Sequence, residues 1–208
     1  MKRAGSVLFA VLAVSLMLAM ASGNALAQNA GDNSVYFVTY YSNSSTTGAP
    51  AATLRLINDG DQSTTEVEGV PNGNLWAWIY VFDDSQEFQE CCSCEVTPDG
   101  LLSENVNTQL LANSLTGKIN TRGVIKVLSS STHDPTNNVL APGLRGWATH
   151  IQSVSTNDVP AFAVTETRLA DSNLSATEQT VLQDLCSYAI TLGSGHGTCS
   201  CTAEDHDF

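Results

Sequence analysis

Positive charge is scarce in this sequence. Its 208 residues include 8 lysines and arginines against 21 acidic residues, so the formal net charge is −13. A protein that binds the phosphate backbone of DNA or RNA needs clustered basic side chains, and eight in the whole chain are too few for that. We therefore expect no nucleic-acid partner.

Long apolar runs are almost absent, and the one that is present lies near the N-terminus. It spans residues 7–21, follows two basic residues and precedes the small-x-small sequence Ala25-Leu26-Ala27. This pattern predicts a signal peptide over residues 1–27 that is cleaved after Ala27. The run is shorter than the ~20 residues that a membrane span needs. We expect the mature chain, residues 28–208, to be secreted to the periplasm or the cell exterior, with no membrane span.

No local catalytic motif is present. The sequence has no G-x-S-x-G, H-E-x-x-H, phosphate-loop or dinucleotide-binding pattern. His133-Asp134 and His150 could form an acid/base pair, and the acidic residues of 83–87 could supply carboxylates, but such residues are more often ordinary surface groups. The sequence therefore favours a protein that is not an enzyme. A secreted hydrolase whose active site is assembled from distant loops stays as an alternative.

Apolar side chains, in contrast, are plentiful and make up 42% of the chain. This fraction supports a sizeable core and excludes a disordered acidic tail. The mature chain of 181 residues fits one domain, at 28–208. Its net charge becomes −15, because the signal peptide contains two basic residues and no acidic residue. Such acidity favours solubility.

Short segments rich in aromatic and β-branched residues indicate a mainly β fold. They predict strands at 35–41, 53–58, 75–82, 124–128, 147–154 and 161–168. Asp59-Gly60 predicts a hairpin turn that leads to a short segment at 64–67. Aromatic and aliphatic residues alternate along 75–82, which is typical of a strand buried on both faces. A sugar-stacking platform of Trp76, Trp78 and Tyr80 is the alternative.

One helix is predicted near the C-terminus. Ser175 and Glu178 match a capping box, apolar residues recur at helical spacing between 181 and 189, and Gly193 is placed to end the helix. A weaker helical pattern covers 106–115. Together these elements predict an antiparallel β-sandwich, or a partly open barrel, with one C-terminal α-helix.

Six cysteines form two clusters, one after the Trp-rich strand and one at the C-terminal end: Cys91, Cys92, Cys94, Cys186, Cys199 and Cys201. An even number of cysteines in an exported chain indicates disulfides, and spacing alone leaves 15 connectivities open. Adjacent side chains of an extended segment point to opposite faces, so Cys91 and Cys92 should have different partners. We predict that Cys91 bonds to Cys186 and that the Cys92/Cys94 pair faces the Cys199/Cys201 pair.

The C-terminal cluster also allows a metal site. His196, Cys199, Cys201 and His206 are side chains that bind zinc or copper, and they lie close together in the sequence. Thiols oxidise outside the cytoplasm, however, so disulfides are favoured and no cofactor is expected.

The predicted function is that of a structural or adhesion module at the cell surface or in the extracellular matrix. Its partner would be an unknown extracellular ligand or a second copy of the chain. The segment at 35–41 could add to an open sheet edge of a neighbour and form an oligomer or filament, although pairing within its own sheet is simpler. A metal-binding secreted protein and a secreted hydrolase are the alternatives.

Overall fold

The computed structural model describes residues 33–60, 73–118, 120–155 and 159–201. The predicted signal peptide at 1–27 and the segment at 64–67 lie outside this part of the chain. In chain order, the described elements are β1 (Tyr36–Ser42), β2 (Thr53–Asn58), β3 (Leu75–Asp83), β4 (Phe88–Val96), β5 (Leu101–Asn105), a π-helical turn (Val106–Leu110), β6 (Arg122–Ser130), β7 (Leu144–Ser153), β8 (Phe162–Arg168), β9 (Ala170–Asp171) and α1 (Ala176–Leu192).

The strands form two antiparallel sheets that pack face to face. The first sheet has the strand order β4-β3-β6-β1-β9, and the second has the order β5-β2-β7-β8. One buried cluster joins them, with Phe37 and Ile79 from the first sheet and Leu54 and Leu56 from the second. The predicted β-sandwich is therefore confirmed, and the described strands do not close into a single barrel.

β3 is buried on both faces because it lies inside the first sheet with a layer on each side. Ala77 and Ile79 belong to the core between the sheets. Trp78 and Tyr80 belong to a second cluster, which lies under α1 and includes Leu182. The alternation of aromatic and aliphatic residues thus places each class of side chain in a different core.

α1 begins and ends at the predicted residues. The Ser175 hydroxyl oxygen accepts a hydrogen bond from the Glu178 backbone N–H at 3.1 Å. Gly193 ends the helix in the left-handed conformation, with φ of 60°. Leu182 and Cys186 are buried against the first sheet. Among the described residues, α1 included, no helix is long and apolar enough to cross a membrane.

β1 contains most of the segment at 35–41, which the sequence analysis considers as a strand that could add to the sheet of a neighbouring molecule. It pairs with β6 over its whole length and with β9 at Phe37 and Val38. Its aromatic and β-branched residues thus complete the sheet of their own chain. Pairing of this segment within its own sheet is therefore confirmed, and its addition to the sheet of a neighbour stays a prediction.

The structure differs from the sequence prediction in four elements, one of which is the two-residue strand β9 that the prediction lacks. β4 and β5 are absent from the prediction because their polar residues weaken the β pattern. In β4 these polar residues are covered by other segments, and Gln89 and Glu90 are each 0% exposed. The helical prediction at 106–115 is too long, since only the π-helical turn forms. Asn105 caps this turn by accepting hydrogen bonds from the N–H groups of Asn107 and Thr108.

Candidate functional site

β4 carries three of the six cysteines and is the centre of the candidate site. Successive side chains of a strand point to opposite faces of the sheet. Cys92 and Cys94 accordingly belong to the core between the sheets. Cys91 belongs to the cluster under α1. The strand therefore presents sulfur atoms to both sides of its sheet.

Three disulfides join β4 to the C-terminal part of the chain. With their Cα separations, they are Cys91–Cys186 (5.6 Å), Cys92–Cys199 (5.1 Å) and Cys94–Cys201 (5.5 Å). The first bridge joins the pair that the sequence predicts. The other two join the two facing pairs in parallel order, so α1 and the tail after it are both fixed to the sheet.

The tail also extends the first sheet beyond β4 through backbone hydrogen bonds. The Cys91 N–H donates to the Gly197 carbonyl at 2.9 Å, and the Cys199 N–H donates to the Cys91 carbonyl at 3.0 Å. These bonds form a parallel bridge between Cys91 and Thr198. Gly197 has a φ of +84°, which favours glycine, and a Cβ there would lie 3.1 Å from the Ala189 Cβ. The glycine lets the tail pass close beneath α1.

Glu90 connects the tail to the loop that follows the π-helical turn. Its carboxylate is buried and accepts a hydrogen bond from the Asn113 backbone N–H at 2.7 Å. The Asn113 carbonyl in turn accepts a hydrogen bond from the Gly197 N–H at 2.8 Å. Burial raises the pKa of Glu90 to about 7, and the Asn113 N–H partly opposes this rise. Glu90 is therefore a buried acid of this site that titrates near neutral pH.

Asp83 and Gln89 hold the turn between β3 and β4. Asp83 accepts hydrogen bonds from the N–H groups of Ser85 and Glu87, each at 2.9 Å. The Gln89 side chain donates to Asp83 at 3.1 Å and accepts from the Thr116 hydroxyl at 2.6 Å. Asp83, which the sequence offers as a carboxylate for catalysis, thus stabilises a turn.

The structure describes three of the four residues in the alternative metal-ligand set. Cys199 and Cys201 are bonded to β4. His196 is exposed in the loop that precedes them. His206 lies outside the described residues. Zinc and copper bind the thiolate form of cysteine, which a disulfide does not provide. A zinc or copper site at these four residues stays a prediction.

The residues offered for acid/base chemistry have other contacts. The ring of His133 stacks on Trp76 with 4.3 Å between centroids. Asp134 accepts a hydrogen bond from the Thr136 hydroxyl at 2.7 Å, and this contact lowers the pKa of Asp134. Within the described part of the chain, no hydrogen bond or ion pair joins His133 or Asp134 to His150. The structure therefore does not bring the predicted acid/base pair together.

His150 is buried in the second sheet next to a hydroxyl group. Its Nε2 lies 2.7 Å from Thr167 Oγ1, and its ring stacks on Tyr40 with 4.0 Å between centroids. Burial lowers the pKa of His150, and the Tyr40 backbone partly opposes this effect. A neutral imidazole beside a hydroxyl can act as a base for a nucleophile. It also satisfies the hydrogen bonding of a buried histidine without any catalytic role.

The aromatic residues of β3 do not form an open platform. Trp78 and Tyr80 are buried under α1. Trp76 is half-buried, and His133 stacks on its ring. A sugar that stacked on Trp76 would have to replace His133 on the covered side. Packing explains these residues better than sugar binding.

A row of three side chains on the outer face of the second sheet has no counterpart in the sequence prediction. Trp147 on β7 lies opposite Arg55 on β2 and opposite Arg168 on β8. We call Arg55, Trp147 and Arg168 the Arg-Trp row. Arg55 also forms an ion pair with Glu166. In the sequence, Arg55 and Arg168 each stand next to a core residue within a predicted strand, which places their side chains on the outer face. The strand order is also needed to show that the two residues flank Trp147.

The chain was also compared with known proteins. Comparisons with protein-family models, with curated proteins and with solved structures found no match. The roles of the residues above are therefore inferred from their contacts, burial and charge.

Proposed function

We propose that this chain is an exported structural or binding module whose scaffold is held by disulfides. The observation that carries the proposal is the set of three bridges between β4 and the C-terminal part of the chain. Disulfides form and persist in oxidising compartments, such as the periplasm and the cell exterior. The predicted signal peptide at 1–27 would deliver the chain to such a compartment.

The bridges favour a scaffold that survives harsh conditions. They join residues 95, 107 and 107 positions apart in the sequence. In the chain-entropy model, the first bridge across a loop of about 100 residues stabilises the fold by up to ~4.7 kcal/mol. The other two bridges lie beside the first and contribute less, because the chain ends are already held together. Durability of this kind suits a cell-surface or matrix protein.

The Arg-Trp row is the surface that we propose for ligand binding. Tryptophan and arginine supply much of the binding energy in protein interfaces. The row lies on the second sheet, whereas α1 packs against the first sheet. Arg55 and Arg168 are two of the six basic residues of the mature chain, whose net charge is −15, and a third, Arg145, lies two positions before Trp147 on β7. Arg55 and Arg145 form ion pairs with Glu166 and Asp59. An anionic saccharide would meet less repulsion here than on the rest of the protein.

Two measurements test this proposal on the oxidised mature protein. The intact mass should be the same before and after alkylation without reductant, because alkylation adds mass only to free thiols. An unchanged mass means that all six cysteines are in three bridges. An array of acidic and neutral polysaccharides should give binding that Trp147→Ala reduces at least tenfold. Trp76→Ala is the matched control, because Trp76 is also half-buried on an outer sheet face but lies on the other sheet. Equal binding by both variants would reject the Arg-Trp row.

A secreted hydrolase is the second candidate, and the contact between His150 and Thr167 favours it. Thr167 would be the nucleophile and His150 the base. A panel of ester, peptide and glycoside substrates should then show turnover that both Thr167→Ala and His150→Asn abolish. No turnover on the panel, or turnover that survives Thr167→Ala, would leave the contact with a structural role alone.

A further inference from the structure

Two Cys-x-Cys segments lie side by side in the structure. Cys92 and Cys94 share one face of β4, and each is bonded to a cysteine of the tail segment Cys199-x-Cys201. The Sγ atoms of Cys92 and Cys94 are 3.9 Å apart. Those of Cys92, Cys94 and Cys201 all lie within 4.8 Å of one another. The fourth sulfur, on Cys199, is held within this group by its bond to Cys92.

These distances resemble the edges of a tetrahedral metal site. Zinc bound to thiolates has Zn–S distances of about 2.3 Å, so two ligands of a tetrahedron lie about 3.8 Å apart. The unbonded pair Cys92 and Cys94 already has this separation. Once reduced, the two bonded pairs would need only small side-chain rotations to reach it. The backbone is held in place by the hydrogen bonds between Cys91 and the tail.

We propose that the reduced chain binds one Zn²⁺ ion through the thiolates of Cys92, Cys94, Cys199 and Cys201. A thiol or phosphine reductant supplies two electrons for each bridge, and each bridge takes up two protons to give two thiols. Zinc binding then releases up to four protons, because the ligands are thiolates. The ligand set differs from the one predicted from sequence, since it excludes His196 and His206.

Cys91 and Cys186 are outside this site. Their bridge lies in the cluster under α1, on the opposite face of β4 from Cys92 and Cys94. Zinc would thus replace two of the three crosslinks and keep the tail on the sheet. The zinc site belongs to the chain before oxidation or under reducing conditions, a state that the proposed function does not involve.

Cobalt and zinc titrations of the mature chain test the proposal. The protein is reduced by an excess of a phosphine without oxygen, and Co²⁺ is added. We expect one Co²⁺ per chain with the visible and thiolate charge-transfer absorption of a tetrahedral tetrathiolate site. One equivalent of Zn²⁺ should remove this absorption. Binding without a defined stoichiometry, or without the tetrahedral spectrum, would overturn the proposal.

Two double variants decide which cysteines bind the metal. Cys91→Ser/Cys186→Ser should keep one tetrahedral Co²⁺ site, whereas Cys94→Ser/Cys201→Ser should lose it. Circular dichroism and amide exchange at Gly197 are measured with and without zinc. The site is supported if zinc restores secondary structure and slows amide exchange at Gly197 in Cys91→Ser/Cys186→Ser but not in Cys94→Ser/Cys201→Ser. The proposal is refuted if both variants bind the metal equally, or if metal binding restores no structure.

Discussion

Glu90 should make the stability of the mature protein fall between about pH 4.5 and pH 7. Its pKa rises from the ordinary 4.5 to about 7 in the folded chain because its carboxylate is buried. In this range the unfolded chain releases the proton and the folded chain keeps it, so unfolding becomes more favourable as pH rises. The stability due to the raised pKa is complete below about pH 4.5 and is lost once pH passes about 7.

The size of the effect follows from the pKa change. One pKa unit corresponds to 1.36 kcal/mol, so the change from 4.5 to about 7 gives a loss of about 3 kcal/mol across this range. Glu90→Gln removes the titration and keeps a carbonyl oxygen for the Asn113 N–H. Any cost of the buried amide in this variant is the same at every pH in the range.

Urea unfolding at half-unit steps from pH 4 to pH 8 measures the effect. The free energy of unfolding of Glu90→Gln, minus that of the parent, should rise by about 3 kcal/mol between pH 4.5 and pH 8. The difference cancels the contribution of His150, whose lowered pKa makes stability rise with pH over part of this range. Glu87→Gln is the control, because Glu87 is exposed and its ion pair with Lys118 is on the surface. Parallel pH profiles for Glu90→Gln and the parent would refute the reasoning.

Three further predictions concern stability, measured by urea unfolding at pH 7. Cys91→Ser/Cys186→Ser should lower the free energy of unfolding by about 3 kcal/mol, because with Cys92–Cys199 intact the Cys91–Cys186 bridge closes a loop of only about 15 residues; a loss under 1 kcal/mol would contradict this. Gly123→Ala should cost about 3 kcal/mol, because a Cβ there would overlap the Phe82 backbone carbonyl oxygen and would lie 2.6 Å from the Tyr41 hydroxyl. An unchanged midpoint would show that the sheet moves aside freely. Ser175→Ala should cost about 1 kcal/mol through loss of the α1 cap, and Ser175→Asp should restore it.

The sequence predicts those parts of the fold whose signals are local. The alternation along β3 and the cap of α1 each depend on neighbouring residues, and both are confirmed. The alternation of side chains in a strand, which is also local, predicts that Cys91 and Cys92 have different partners, but it does not by itself select Cys186. β4 could not be predicted, because Gln89 and Glu90 are polar residues in a buried strand. Their side chains are satisfied by hydrogen bonds to groups of other segments, namely Asp83, Thr116 and Asn113.

Residues of the candidate site that depend on strand order could not be predicted. The Arg-Trp row takes one residue from each of β2, β7 and β8, and only the pairing of these strands brings the three together. The same holds for His150 and Thr167, which are joined by the pairing of β7 with β8. A single sequence gives the residue types but not which strands are neighbours.

The tail that runs along β4 has a consequence for aggregation. A sheet edge with unpaired backbone groups can recruit a strand from another molecule. At β4, the segment around Thr198 occupies that edge, and two disulfides keep it there. A strand of another molecule can therefore pair with this edge only after the bridges are broken and the tail has moved away. β5 and β8, which end the second sheet, have no such strand beside them among the described residues, so the protection from strand addition that the disulfides give applies to the β4 edge.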